Sequence, residues 1–190
     1  MVEPPVRSPL PAPELRDGPG LLLRRHRTED VDGICEQCQD ESMQRWTTVP
    51  VPYTRQDAEG FLAHVQRGWE EGATASFGIE VDGRFAGTID LQLSDGAWGD
   101  VGFGLAPWAR GRSAMSRSPR LVLAWGFSEL ALAGVQWRAH VGNHASRRVA
   151  EACGFRVEGQ VRGLLFERGR RIDGWIGTVL AGEPLQPAVG

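Results

Sequence analysis

Apolar residues recur along the chain with two periods, and the switches between them set the order of elements. Leu21-Leu22-Leu23 opens a first strand. Val31, Ile34, Cys35 and Cys38 follow at helical spacing behind Thr28, a residue type that caps helices. Thr54 with Asp57 has the capping-box pattern, and Ala58, Phe61, Leu62, Val65 and Trp69 then form one apolar stripe. The period next changes to two: Phe77, Ile79, Val81, then Asp82-Gly83, then Phe85, Gly87, Ile89, Leu91 and Leu93. Asp-Gly between alternating runs predicts a tight hairpin. Asp95-Gly96 turns the chain again into Val101, Phe103 and Leu105, which completes an antiparallel meander.

A helix is predicted over 112–130, with Leu123, Phe127 and Leu130 on one face. Val135, Trp137, Ala139 and Val141 alternate as a strand, and a short helix runs from Asn143 to Gly154. Two last strands, at about 160–167 and 171–180, turn at Arg168-Gly169. The order is that of a mixed α/β (α+β) layer fold, whose middle strand–helix–strand unit should be parallel and right-handed.

Pro4, Pro5, Pro9, Pro11 and Pro13 mark residues 1–18 as a flexible arm, and Pro184 and Pro187 mark 184–190 as a tail. One domain is expected over 19–183, as suits 190 residues that are 41% hydrophobic. No apolar run reaches the roughly 20 residues that span a bilayer, and Met1-Val2-Glu3-Pro4-Pro5 lacks the order of a secretory signal. A cytoplasmic location without membrane contact is therefore expected. Three cysteines, an odd number, fit a reducing compartment better than a disulfide framework.

Charge narrows the chemistry. A net charge of −3 gives no footing to direct nucleic-acid binding. All 21 basic residues are arginine, which removes Schiff-base chemistry, a pyridoxal-phosphate lysine and the P-loop lysine together. Cys35 and Cys38 have the spacing of zinc and redox pairs, but no second pair or histidine completes a set, and both fall on the apolar stripe. No metal site is expected. His140 would serve as a reserve base if it faced a cleft, although an outward side chain is the expectation.

Two segments carry the chemistry. In the first, Asp100 to Met115, the residues Val101, Phe103 and Leu105 face the core, so Asp100, Gly102 and Gly104 share the opposite face. Two glycines beside a carboxylate leave room for a thin ligand. Arg110-Gly111-Arg112-Ser113 then leads into Ala114 and Met115 at a helix start, where free amides and the helix dipole suit a pyrophosphate. Arg117 and Arg120 add charge nearby. In the second segment Asn143 is a good N-cap and Gly154 a good C′ residue. Ser146, Val149, Ala150 and Cys153 share one face, so the Ser146 hydroxyl points inward.

Taken together, Arg110-Gly111-Arg112 after an Asp-Val-Gly-Phe strand, Asn143-x-x-Ser146 and Cys153-Gly154-Phe155 resemble the Gcn5-related N-acetyltransferase superfamily. Arg45-Trp46, Pro50-Val51-Pro52-Tyr53 and Asp57-Ala58 look like its ribosomal-protein N-terminal acetyltransferase branch. The resemblance covers nearly all of residues 19–180. It implies a sheet of about seven strands that splays between the fourth and fifth. Acetyl-CoA, or another acyl-CoA such as succinyl-CoA, would be the co-substrate, with its pantetheine arm in that gap.

The resemblance further implies that Phe103, Gly104 and Leu105 bond the pantetheine amides. The amides of Arg110, Gly111, Arg112, Ser113, Ala114 and Met115 would hold the pyrophosphate, and Asn143 would face the pantetheine. Asp100 would be the general base, and Ser146, near the thioester sulfur, the general acid. The acceptor would be a primary amine of a protein N-terminus or a small molecule. Homodimerisation is left open. Two rival readings are a coenzyme-A-binding scaffold without catalysis and a structural module that binds no ligand. The chain departs from the family's Arg-Gly-x-Gly turn at Ser113, and Pro119 stands where the next helix should already be running.

Overall fold

A computed structural model of the chain describes residues 8–186. Its strands are β1 (Leu15–Arg16), β2 (Leu21–Arg25), β3 (Thr74–Val81), β4 (Arg84–Ser94), β5 (Trp98–Leu105), β6 (Gly134–His140), β7 (Arg156–Glu167) and β8 (Arg170–Leu180). Its α-helices are α1 (Val31–Gln39), α2 (Glu41–Trp46), α3 (Arg55–Glu70), α4 (Ala114–Glu129) and α5 (His144–Ala152). The strands form one sheet in the order β1-β2-β3-β4-β5-β6-β8-β7. Pairing is antiparallel throughout except between β5 and β6, which α4 connects in parallel. No helix among the described residues is long and apolar enough to cross a membrane.

The expected meander forms where the alternation and turns placed it. Asp82 (φ 50°) and Gly83 (φ 80°) both take the left-handed conformations of a two-residue hairpin turn. Thr54 and Asp57 form the reciprocal capping box of α3. The main core lies under the sheet against α3 and α4. There Phe77 meets Trp69 edge-on at 5.0 Å and Trp125 at 5.5 Å between ring centroids. A second cluster of Val31, Ile34, Cys38, Tyr53, Ala58 and Phe85 joins α1 to α3 and β4. Cys35 packs against it, and burial pushes the Cys38 thiol up to about 11, so the pair works as packing.

The structure differs from the sequence pattern at several places. Within the expected arm, Leu15–Arg16 pairs with β2 at the sheet's edge, Leu10 N donates to Trp69 O of α3 at 2.9 Å, and Arg117 bonds Asp17. This edge strand makes the sheet eight-stranded where about seven strands were expected. Leu185, in the expected tail, packs against the main core. Residues 1–7 of the arm and 187–190 of the tail lie outside the described residues. Thr28 does not cap α1. It starts a single 3-10 turn, and α1 begins at Val31. The short α2, whose cap Asp40 accepts from Met43 N at 3.1 Å, had too few residues to show a period.

The helix expected over 112–130 begins at Ala114, which leaves Pro119 well beyond the first turn. Proline there donates nothing to the carbonyl of Met115, four residues back. Ser116 and Ser118 bond back to Ser113 O and Ala114 O, both at 2.9 Å, and so occupy neighbouring carbonyls of the same turn.

Candidate active site

The β5–β6 ladder is short. Trp98–Val101 pairs with Gly134–Trp137, but β5 continues to Leu105 and β6 to His140 without further pairing. Beyond Val101 and Trp137 the strands diverge, and a cavity of about 950 Å³ occupies the wedge. Gly102 to Leu105 line one wall, Arg138 to His140 the other, α2 closes one side, and α5 closes another. A splayed sheet leaves unpaired backbone N–H and C=O groups facing the gap, which an amide-bearing arm can satisfy.

Of the residues the sequence pointed to, Asp100, Phe103, Gly104, Leu105, Arg110, Gly111, Met115, Asn143 and Ser146 all line this cavity. Arg112, Ser113 and Ala114 do not. They form the turn that ends at α4, and Ala114 is buried beneath it. Gly111 (φ 74°) and Ser113 (φ 60°) are both left-handed in that turn. The backbone therefore keeps the conformation that glycine favours, even though a serine occupies the second position. Ser113 caps nothing with its side chain.

The arginine cluster is less free than its sequence density implied. Arg110 grips Asp40, the cap of α2, and also donates to Leu105 O at 3.4 Å. Arg117 is held by Asp17, and Arg120 donates to Ala152 O at 2.7 Å. Arg112 forms no ion pair among the described residues and stacks over Trp108 at 5.5 Å. The two glycines also differ. A Cβ on Gly102 would meet nothing within 4 Å, so that position opens on the cavity. A Cβ on Gly104 would lie 2.9 Å from the Met43 sulfur and 3.0 Å from Gln37 Nε2, so its space is taken by α1 and α2.

Asn143 caps α5 by accepting from Ser146 N at 3.2 Å, which fixes Ser146 in the first turn. The Ser146 hydroxyl accepts a 2.9 Å hydrogen bond from Trp137 Nε1. An indole N–H can only donate, so the serine proton is left to point elsewhere.

Asp100 sits in the paired part of the ladder, opposite Gln136. Its carboxylate forms an ion pair with Arg138 and accepts from Gln136 Nε2 at 3.1 Å. Burial pushes its pKa up, and Arg138 and Gln136 oppose that push. The expected base is thus already engaged by a cation and an amide.

The periodicity reading of His140 is corrected. It is buried, faces the cavity, and lies 5.8 Å from the Trp46 ring, edge-on. Its Nε2 stands 2.8 Å from Glu167 Oε2, close but off hydrogen-bond alignment. Glu167, only 3% exposed at the end of β7, has its other oxygen held by Arg168. Sequence reading missed Glu167 altogether. Only its place at the end of a strand, beside the predicted Arg168-Gly169 turn, could have hinted at it.

The sheet thus splits beside its parallel pair, with the turn before α4 at one end of the wedge and a serine and two acids around it, as the resemblance to an acyl-CoA-dependent transferase implied. A family model described as the acetyltransferase (GNAT) domain matches residues 20–156, so the chain belongs to the GNAT family and is an acetyl-CoA-dependent N-acetyltransferase. The SPbeta prophage-derived uncharacterized N-acetyltransferase YokL of Bacillus subtilis (strain 168) is 28% identical over 159 residues, covering 83% of this chain and 88% of that protein.

Solved structures share the fold. Mycobacterium smegmatis RimJ, in complex with CoA-disulfide, has a TM-score of 0.78 at 20% identity, over 90% of this chain and 87% of that one. RimL, the ribosomal L7/L12 alpha-N-protein acetyltransferase in complex with coenzyme A, has a TM-score of 0.80 at 16% identity, over 88% of this chain and 98% of that one.

Proposed function

We propose that the enzyme acetylates a primary amine by direct attack within a ternary complex, with a protein N-terminus as the acceptor. The pantetheine arm takes the wedge along Phe103, Gly104 and Leu105, and the pyrophosphate takes the amides of residues 110–115. The acceptor approaches between α2 and the end of β7.

An amine attacks a thioester only when neutral, so a base must take its proton. The pair His140–Glu167 carries this role, and the buried 2.8 Å contact in the cavity wall is the observation that supports it. Glu167 stabilises the imidazolium that forms as His140 accepts the proton. Asp100 instead neutralises Arg138 beside the reacting centre. An unpaired β5 amide near Leu105 donates to the tetrahedral oxyanion. As the intermediate collapses, the C–S bond breaks and the free Ser146 proton meets the leaving thiolate. No bond forms between substrate and enzyme.

The protein-terminus reading is supported by the fold shared with RimJ and RimL and by the open acceptor side, where Phe166 is 63% exposed. The test is thiol release from acetyl-CoA and succinyl-CoA against short peptides with free N-termini and a panel of small amines, with Glu167→Gln as control. Peptide acetylation lost in Glu167→Gln supports the reading. Turnover confined to small amines overturns the acceptor class. Binding of acetyl-CoA without turnover on either panel supports the scaffold rival.

A further inference from the structure

Arg168 occupies the first central position of the β7–β8 turn with φ 45°, followed by Gly169 at φ 80°. That turn needs left-handed residues at both places and ordinarily takes Asn, Asp or Gly at the first. A long β-unbranched residue there adds about 1 kcal/mol of strain, which persists only where surrounding contacts hold it.

The contacts are specific. One guanidinium nitrogen of Arg168 grips Glu167. The other donates to three carbonyls of the acceptor wall: Gln44 O at 3.1 Å, Thr47 O at 3.4 Å and Val49 O at 3.2 Å. Those carbonyls lie at the end of α2 and in the segment after it, where α2 has stopped and the backbone has no regular partners. Trp46, between them, forms the edge contact to His140. Asp40, at the other end of α2, is tied to Arg110.

We propose that Arg168 is a positioning residue that fastens the acceptor wall to the catalytic pair, through Gln44, Thr47 and Val49 on one side and Glu167 on the other. This rests on the His140–Glu167 base reading. A planar fork suits the task, because one rigid group serves a carboxylate and several carbonyls at once, which an ammonium cannot do in the same geometry. The ionisable groups around Glu167 are His140 from β6, Arg168 itself and Arg171 from β8, with Arg138 and Asp100 across the cavity. Removing the Arg168 fork frees the segment after α2 and the Glu167 carboxylate together, so acceptor binding and turnover fall while coenzyme A binding holds.

The experiment compares Arg168→Met and Arg168→Lys with the parent, with Glu167→Gln and His140→Asn alongside. Arg168→Met should lower kcat/KM for the acceptor by about tenfold or more and leave the KM of acetyl-CoA within about twofold. Arg168→Lys should recover part of kcat through the retained cation beside Glu167 but not restore the acceptor KM. Limited trypsin digestion gives a readout without activity: cleavage after Arg45 should accelerate in both Arg168 variants. Unchanged acceptor kcat/KM and cleavage in Arg168→Met would overturn the proposal, even where Glu167→Gln and His140→Asn are inactive. Full activity in those two variants would instead overturn the base reading. Retained acetyl-CoA binding by calorimetry shows that each variant is folded.

Discussion

The indole of Trp137 donates to the hydroxyl of Ser146 across 2.9 Å, joining the last paired residue of β6 at the wedge to the first turn of α5. This bond uses an acceptor lone pair of the serine and so leaves its proton to point away from the indole. Ser146→Ala should lower kcat by about 10–100-fold and leave the Kd of coenzyme A within about threefold, since the group acts on the departing thiolate. Trp137→Phe should cost only a few-fold in kcat, because the serine proton survives but loses its orientation. Single-turnover kinetics and calorimetry separate the two effects. A large loss of coenzyme A affinity in Ser146→Ala would contradict the general-acid role.

In the proposed mechanism the His140–Glu167 pair, and not Asp100, supplies the base, and two variants separate these readings. Asp100→Asn should retain a substantial fraction of activity, and Glu167→Gln should lose about 100-fold or more in kcat/KM at pH 7. The reverse order would restore Asp100 as the proton acceptor. Asp100→Asn also leaves Arg138 without its carboxylate, so a modest drop in melting temperature is expected.

Ser113 and Pro119 each depart from local preference. Ser113→Gly removes a left-handed serine and should stabilise the fold by about 1 kcal/mol while tightening coenzyme A several-fold. Looser binding would instead mark the hydroxyl as a phosphate ligand. Pro119→Ala restores a donor to Met115 O in the middle of α4 and should raise the melting temperature by several degrees, because an interior proline costs about 3 kcal/mol before packing offsets it.

Two buried ionisable groups, Asp90 in β4 and His26 just after β2, should shape the pH dependence of stability in opposite senses. Burial pushes Asp90 up to about 6 and His26 down to about 4, and Ser76 stands between them, bonded to His26 Nε2 at 3.2 Å. For Asp90 the folded state holds its proton more tightly, so its contribution falls as pH rises from about 4 to 6. For His26 the unfolded state holds the proton more tightly, so its contribution falls as pH drops from about 6.5 to 4. Asp90→Asn should therefore stabilise the protein by roughly 1–3 kcal/mol above pH 7 and by little near pH 4. Urea melts across that range measure it. Equal gains at both pH values would show that Asp90 is ionised without cost.

The amino-acid sequence by itself determined the elements whose causes are local. Asp82-Gly83 makes its hairpin, Thr54 and Asp57 cap α3, and Asn143 caps α5, because each depends on residues a few positions apart. It also pointed to most of the residues that line the wedge between β5 and β6, since β5 and the turn before α4 form one contiguous stretch. Tertiary structure decided which charges meet. Asp100 met Arg138 across a parallel ladder, and Arg110 turned to Asp40, 70 positions earlier in the chain. Leu15–Arg16, too short to show alternation, became a strand only because β2 offered it an open edge. His140 reached Glu167 and Arg168 only through the antiparallel registers of β6 with β8 and of β8 with β7. Alternation tells which face of a strand a residue takes. The partner it finds there depends on register, splay and burial, which are fixed only once distant segments pack.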